Sequence, residues 1–216
     1  MKLVTAADAD GRTFPGIYDA GGIVDLSQHG FATALDVISA DASTLVPIVD
    51  TGGDVMTDAT LKMPLVPRRI IGTGTNYRSH VAEMGGTEPQ RPTANFIKLP
   101  NSYAAAGDDI EIPPFCLLDY EAEIAIVIGT EVSHADSDAA YQAIFGLCLA
   151  NDLSARDAPT THLSLAKSGN GFCPIGPWIT TTDELDVADI AFELLVNGEL
   201  RQDSNSSDMI HSMVDI

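Results

Sequence analysis

The chain has 216 residues, 45% of them apolar, which suits one medium-sized domain with a sizeable core. Its 31 acidic against 11 basic residues give a formal charge of −20, which repels nucleic acid and anionic membranes and leaves no basic stripe to bind either. Asp supplies most of that charge, only four lysines occur (Lys2, Lys62, Lys98, Lys167), and such a surface suits a high-salt cytoplasm where self-repulsion is screened.

Residues 1–65 read as short strands and turns with one helix-like stretch, a small N-terminal subdomain ahead of a main domain over 66–216. Leu3-Val4, Ile17-Tyr18 and Ile23-Val24 are strand-like, broken by Gly11, Gly21-Gly22 and Gly30. A second turn cluster runs from Asp50 to Asp54, and Pro64 and Pro67 lead into the main domain. Arg69 to Gly72 is a predicted strand. Asn76 is placed to cap a short helix over Tyr77 to Met84, which Gly85-Gly86 stops.

Further strands are expected at Phe96 to Lys98, Ile110 to Ile112 and Asp119 to Gly129. A helix over Asp138 to Phe145 precedes a strand from Leu147 to Asp152. Trp178 to Thr180 and Phe192 to Val196 continue the pattern, with Asn197-Gly198 as a hairpin turn. Many short strands with few helices define an α+β, mainly β architecture.

Cys116, Cys148 and Cys173 are odd in number and widely spaced, so reduced thiols are expected rather than disulfides or a zinc site. The N-terminus has no apolar signal core and no apolar run of about 18 residues occurs, which predicts a cytoplasmic protein. Asn205-Ser206-Ser207 matches a glycosylation acceptor, a match without meaning where no secretory signal accompanies it. Gly72-Thr73-Gly74 lacks the third glycine and the long helix of a dinucleotide loop.

The most informative segment is Asp119-Tyr120-Glu121-Ala122-Glu123. Alternation on a strand puts its three carboxylates on one face and Tyr120, Ala122, Ile124, Ile126 and Ile128 on the other. Two readings stand: a solvated face of an acidic protein, or a buried one whose mutual repulsion a hard divalent cation relieves. Asp152 closes an apolar strand and is the natural further ligand beside Glu121 and Glu123; alternatively it caps the next turn or pairs with Arg156.

His80 and Glu83, three apart on the expected helix, are neighbours on one face, either as surface decoration or as an imidazole oriented for general-base work. Lys98 and Lys167 keep positive charge in apolar or small-residue contexts. They read either as ordinary ion-pair partners or as binders of a substrate carboxylate or enolate.

Together these residues resemble the fumarylacetoacetate hydrolase family. Six ordered blocks between residues 70 and 210 carry the likeness: Ile70 to Gly72 with Asn76 to Glu83; Phe96 to Pro100; Asp119 to Gly129; Asn151 to Asp157; Ala166 to Ser168 with Phe172 to Trp178; and Asn197 to Gln202. The first 65 residues look like the small N-terminal domain of one branch.

The resemblance implies a mixed β-roll catalytic domain, usually a homodimer, with Mg²⁺ or Mn²⁺ held by Glu121, Glu123 and Asp152. It assigns water activation to His80 and Glu83, charge neutralisation to Lys167, and substrate contacts to Lys98, Tyr77 and Arg78. The implied reaction is hydrolysis of a C–C bond in an acylpyruvate-like keto acid through an enolate. The same site would serve decarboxylation (of oxaloacetate, for example), isomerisation or lyase chemistry, and a non-catalytic metal-binding remnant is the rival of another class.

Two departures stand out. Ala158-Pro159 replaces a Gln that the family often uses to reach substrate. The family's later Gly-Thr-Pro stretch is also absent, so the sequence reads as truncated at its C-terminus.

Overall fold

A computed structural model describes residues 1–19, 21–40, 55–89, 93–114, 116–158 and 162–216. Its strands in the first half of the chain are β1 (Lys2–Ala7), β2 (Thr13–Asp19), β3 (Gly22–Asp25), β4 (Val55–Met56), β5 (Thr60–Leu61), β6 (Ile70–Gly74), β7 (Thr93–Lys98) and β8 (Tyr103–Ala105). The second half supplies β9 (Leu118–Asp119), β10 (Ala122–Ile128), β11 (Ile144–Asn151), β12 (Ser154–Ala155), β13 (Cys173–Ile175), β14 (Ile179–Thr181), β15 (Ala191–Val196) and β16 (Glu199–Asn205). Short helices cover Ala34–Ile38, Arg78–Glu83, Ser137–Ala143 and Leu163–Ala166. The expected mainly β character holds, in a curled sheet.

Ten strands make one mixed sheet in the order β4-β3-β2-β1-β14-β11-β13-β8, with β10 added on β11 and β5 on β1. The β8–β13 pair is parallel and the others are antiparallel. Strand β1 joins the two ends of the chain, since Leu3 pairs with Ile17 on one side and with Ile179 on the other. The sheet therefore runs across the domain boundary expected near residue 65.

Being central, β1 is buried on both faces. Leu3 packs with Leu26, Val37 and Ile179, while Val4 and Ala6 pack with Phe14 and Ile23. A third cluster forms where Ile124 and Ile126 of β10 meet Ile144, Leu147 and Met213, so the middle of the apolar face expected for that strand is used, while Tyr120 and Ile128 at its ends are exposed.

The β15–β16 hairpin turns at Asn197-Gly198 with φ of 53° and 81°, the left-handed pair such a tight turn requires. Strands β6 and β7 form a separate two-stranded ribbon in which Ile70 faces Lys98.

Several local expectations need correction. Residues 110–112 are not a strand: Pro113 and Pro114 follow immediately, and proline has no N–H to donate to a ladder. The predicted strand from Asp119 to Gly129 is broken at Tyr120-Glu121, and the helix of residues 138–145 ends at Ala143, where β11 takes over. Asn76 does not cap the helix that follows it. Its side chain instead donates to the His211 carbonyl at 2.8 Å and accepts from the His211 N–H at 3.0 Å. The turn cluster Asp50 to Asp54 lies outside the described residues, as does Pro159.

Candidate active site

The site begins where two antiparallel strands bend together. Upstream of the bend Asp119 pairs with Ser154, and downstream Ala122 pairs with Asn151. Tyr120-Glu121 on one chain and Asp152-Leu153 on the other fall in the gap between the two ladders. The Asp152 N–H donates to the Glu121 carbonyl at 2.8 Å, and the Glu121 N–H to Asn151 Oδ1 at 3.1 Å. That local pairing fixes the two carboxylates beside one another. It also separates Asp119 from the face it was expected to share: Asp119 is half exposed and accepts from Arg156 Nε at 2.7 Å.

Cations fill the space around these acids. Lys98 Nζ, 2% exposed at the end of β7, donates to Asp152 Oδ1 at 2.6 Å and to the Phe172 carbonyl at 2.9 Å. Lys167 follows the short helix Leu163–Ala166 and is likewise buried. Its ammonium donates to Glu121 Oε2 and Asp152 Oδ2, both at 2.6 Å, and to Ser154 Oγ at 2.8 Å. Arg156 binds Glu121 Oε1 as well as Asp119, and not Asp152 as one reading of the sequence had it. The Phe96 ring lies beneath Lys167, with Nζ 5.1 Å from the ring centroid.

Glu123 is the exception. Among the described residues its carboxylate has no hydrogen-bond partner, and burial first, then the charges of Glu121 and Asp152, push its pKa up to about 8, with Lys167 partly offsetting them. The Tyr77 hydroxyl is also buried without a partner among the described residues. Burial, followed by the charges of Glu123 and Asp208, holds that phenol far above its ordinary range.

The remaining expected residues stand apart from this cluster. His80 and Glu83 lie on the exposed side of helix Arg78–Glu83, with Nδ1 3.9 Å from Glu83 Oε2 and no ion pair or hydrogen bond to the carboxylates. Arg78 donates to the Met209 carbonyl at 2.7 Å. Sequence reasoning did not single out Ser154 or Phe96, although each lies two residues from an expected site residue. Asp208 was also missed, and no spacing signal points to it.

The donors suit a hard divalent ion. Glu121 and Asp152 meet at the Lys167 ammonium, Glu123 lies near enough for their charges to raise its pKa, and oxygen is what Mg²⁺ or Mn²⁺ takes. Among the described residues no three His, Cys, Asp or Glu side chains already stand at ion-enclosing distance. The Lys167 ammonium occupies the position between Glu121 and Asp152.

The family described as fumarylacetoacetate (FAA) hydrolase C-terminal matches residues 69–216. A putative hydrolase of Burkholderia ambifaria is 32% identical over 225 residues, covering 100% of this chain and 79% of the relative. The fumarylacetoacetate hydrolase of Exiguobacterium antarcticum superposes with a TM-score of 0.85 at 32% identity, covering 100% of this chain and 79% of that one. A 5-carboxymethyl-2-hydroxymuconate delta-isomerase from Mycobacterium smegmatis gives 0.78 at 28% identity, again covering 100% of this chain and 79% of the other. The chain belongs to the fumarylacetoacetate hydrolase family and is an enzyme of hydrolase type. Among the described residues no helix is long and apolar enough to cross a membrane.

Proposed function

We propose that the protein hydrolyses a C–C bond in an acylpyruvate-like 2-oxo acid. The observation that carries this reading is Glu123, a half-buried carboxylate without a hydrogen-bond partner among the described residues, whose pKa the charges of Glu121 and Asp152 help to raise. Those three residues would hold Mg²⁺ or Mn²⁺, which when bound supplies positive charge to the oxygens of the 2-oxo acid. Lys98 holds Asp152 in place by its 2.6 Å contact. Lys167, with three donors directed into the cluster, neutralises negative charge on the departing enolate. Tyr77 brings a phenol donor whose buried hydroxyl feels the charge of Glu123.

Water adds to the distal carbonyl carbon. His80 presents Nδ1 toward Glu83, which leaves Nε2 to accept the proton of that water. The C–C electron pair leaves with the 2-oxo acid fragment, which takes a proton at carbon to give pyruvate, and the acyl fragment departs as a carboxylic acid.

The test is turnover of acetylpyruvate with Mg²⁺. Glu121→Ala and Glu123→Ala abolish both turnover and calorimetric Mg²⁺ binding, whereas His80→Ala loses about a hundredfold or more in kcat with Mg²⁺ affinity intact. Metal binding without turnover on a panel of β-keto acids defeats the hydrolytic reading. The similarity to a delta-isomerase supports a second reading, isomerisation through the same enolate, and product analysis separates the two because an isomerase consumes no water.

A further inference from the structure

The helix that carries His80 starts without a cap of its own. Tyr77 at its N-cap makes no capping hydrogen bond, and Asn76 spends its amide on the backbone of His211. First-turn N–H groups need an acceptor. Asp208 supplies it from 129 positions away: its Oδ2 accepts from the Ser79 N–H at 2.9 Å and from Ser79 Oγ at 2.6 Å.

The neighbouring residues extend this contact into a clamp. Arg78 donates to the Met209 carbonyl, Tyr77 and Met209 form a β-bridge, and the Ile210 N–H donates to the Asn76 carbonyl at 2.8 Å. His211 Nε2 lies 3.1 Å from the Pro89 carbonyl, beyond the far end of the helix. Asp208 is itself fixed by the turn Ser206–Asp208: Asn205 caps it, and the buried Ser206 hydroxyl accepts from the Ile190 N–H and donates to the Val187 carbonyl. The triplet that mimics a glycosylation acceptor is thus the base on which Asp208 stands.

Tyr77 links the clamp to the carboxylates. Tyr77, one residue before the helix, buries its hydroxyl near the charges of both Glu123 and Asp208 and sets its ring edge-on to Phe192, with centroids 6.1 Å apart. A rotation of the helix about Tyr77 would change the position of His80 relative to Tyr77 and Glu123. We infer that Asp208 is a positioning residue for the reaction, acting through His80 by holding its helix in register with Glu121, Glu123 and Asp152. The inference rests on the reading of His80 as the base.

Acetylpyruvate hydrolysis with saturating Mg²⁺, followed in the full chain, tests it. Asp208→Ala lowers kcat about tenfold, with KM within about twofold and Mg²⁺ affinity unchanged, the size expected when one capping contact is lost. Asp208→Asn, which keeps an acceptor, recovers most of that loss. The double variant His80→Ala/Asp208→Ala is no slower than His80→Ala alone, because both act through one group.

Wild-type kcat in a folded Asp208→Ala protein, or losses that multiply in the double variant, overturns the inference while leaving His80 as the base. Unimpaired turnover by His80→Ala overturns the base assignment and this inference with it. Should Asp208→Ala not fold, Ser79→Ala removes the 2.6 Å contact alone, and an unchanged kcat there overturns the inference equally.

Discussion

Lys98 Nζ meets Asp152 Oδ1 at 2.6 Å with the lysine 2% exposed, a charge pair placed almost wholly out of water. Two of the four lysines in a chain of charge −20 are spent on one aspartate. A buried charge that loses its partner costs about 3–5 kcal/mol. Asp152 keeps Lys167 when Lys98 goes, so Lys98→Met falls at the low end, about 3 kcal/mol in urea unfolding. A loss below about 1 kcal/mol would place the pair in the class of solvent-screened surface bridges.

Gly72 lies under the Phe96 ring so closely that a Cβ there would stand 2.2 Å from the ring tip. Phe96 in turn supports Lys167. Gly72→Ala therefore displaces the ring and costs about 1–3 kcal/mol, the range for overpacking a filled core. Phe96→Leu added to Gly72→Ala restores part of the loss by vacating the space. If the alanine variant melts like wild type, the ring is not held by this contact.

Much of the strand layout is legible in the sequence, because alternation and turn residues are local signals. The Asn197-Gly198 hairpin and the segments around Leu3, Ile17 and Ile23 all fall where expected. The pairing of Glu121 with Asp152 is legible in the apolar strand that Asp152 closes, whereas no local signal shows that Lys98 and Lys167 both reach Asp152. What local pattern hides is partner exchange: the strand from Asp119 breaks because β9 pairs with β12 while β10 pairs with β11. The cap on the His80 helix is equally hidden. Asn76 has the right identity and position for it, yet a residue 129 positions from Ser79 supplies the acceptor.

The acidic surface predicts a salt response. At about 0.1 M salt charges interact over roughly 10 Å, and at about 1 M over roughly 3 Å. A chain carrying −20 therefore repels itself less in concentrated salt, and its Tm rises by several degrees between 0.1 and 2 M KCl. Sucrose, which stabilises without screening, gives no comparable gain relative to its effect on a near-neutral protein. A Tm independent of KCl would assign the acidic residues no role in the salt dependence of the fold.

Glu123 predicts how the metal-free protein responds to pH. Its carboxyl titrates at 4.5 when unperturbed and at about 8 in the fold, raised by burial and by Glu121 and Asp152. Between those values the folded state holds a proton that the unfolded state has released, so stability falls as pH rises through the window. The contribution is complete below 4.5 and gone above 8. Asp25 and Asp208, whose pKa values are lowered, act in the opposite sense at acid pH and leave the neutral window to Glu123. Urea unfolding in EDTA from pH 5 to pH 9 thus shows a decline that Glu123→Gln removes. Mg²⁺ binding below pH 8 then releases a proton, read as a dependence of the calorimetric heat on the buffer's ionisation enthalpy. An identical slope in wild type and Glu123→Gln would mean that the carboxylate is solvated and carries no such proton.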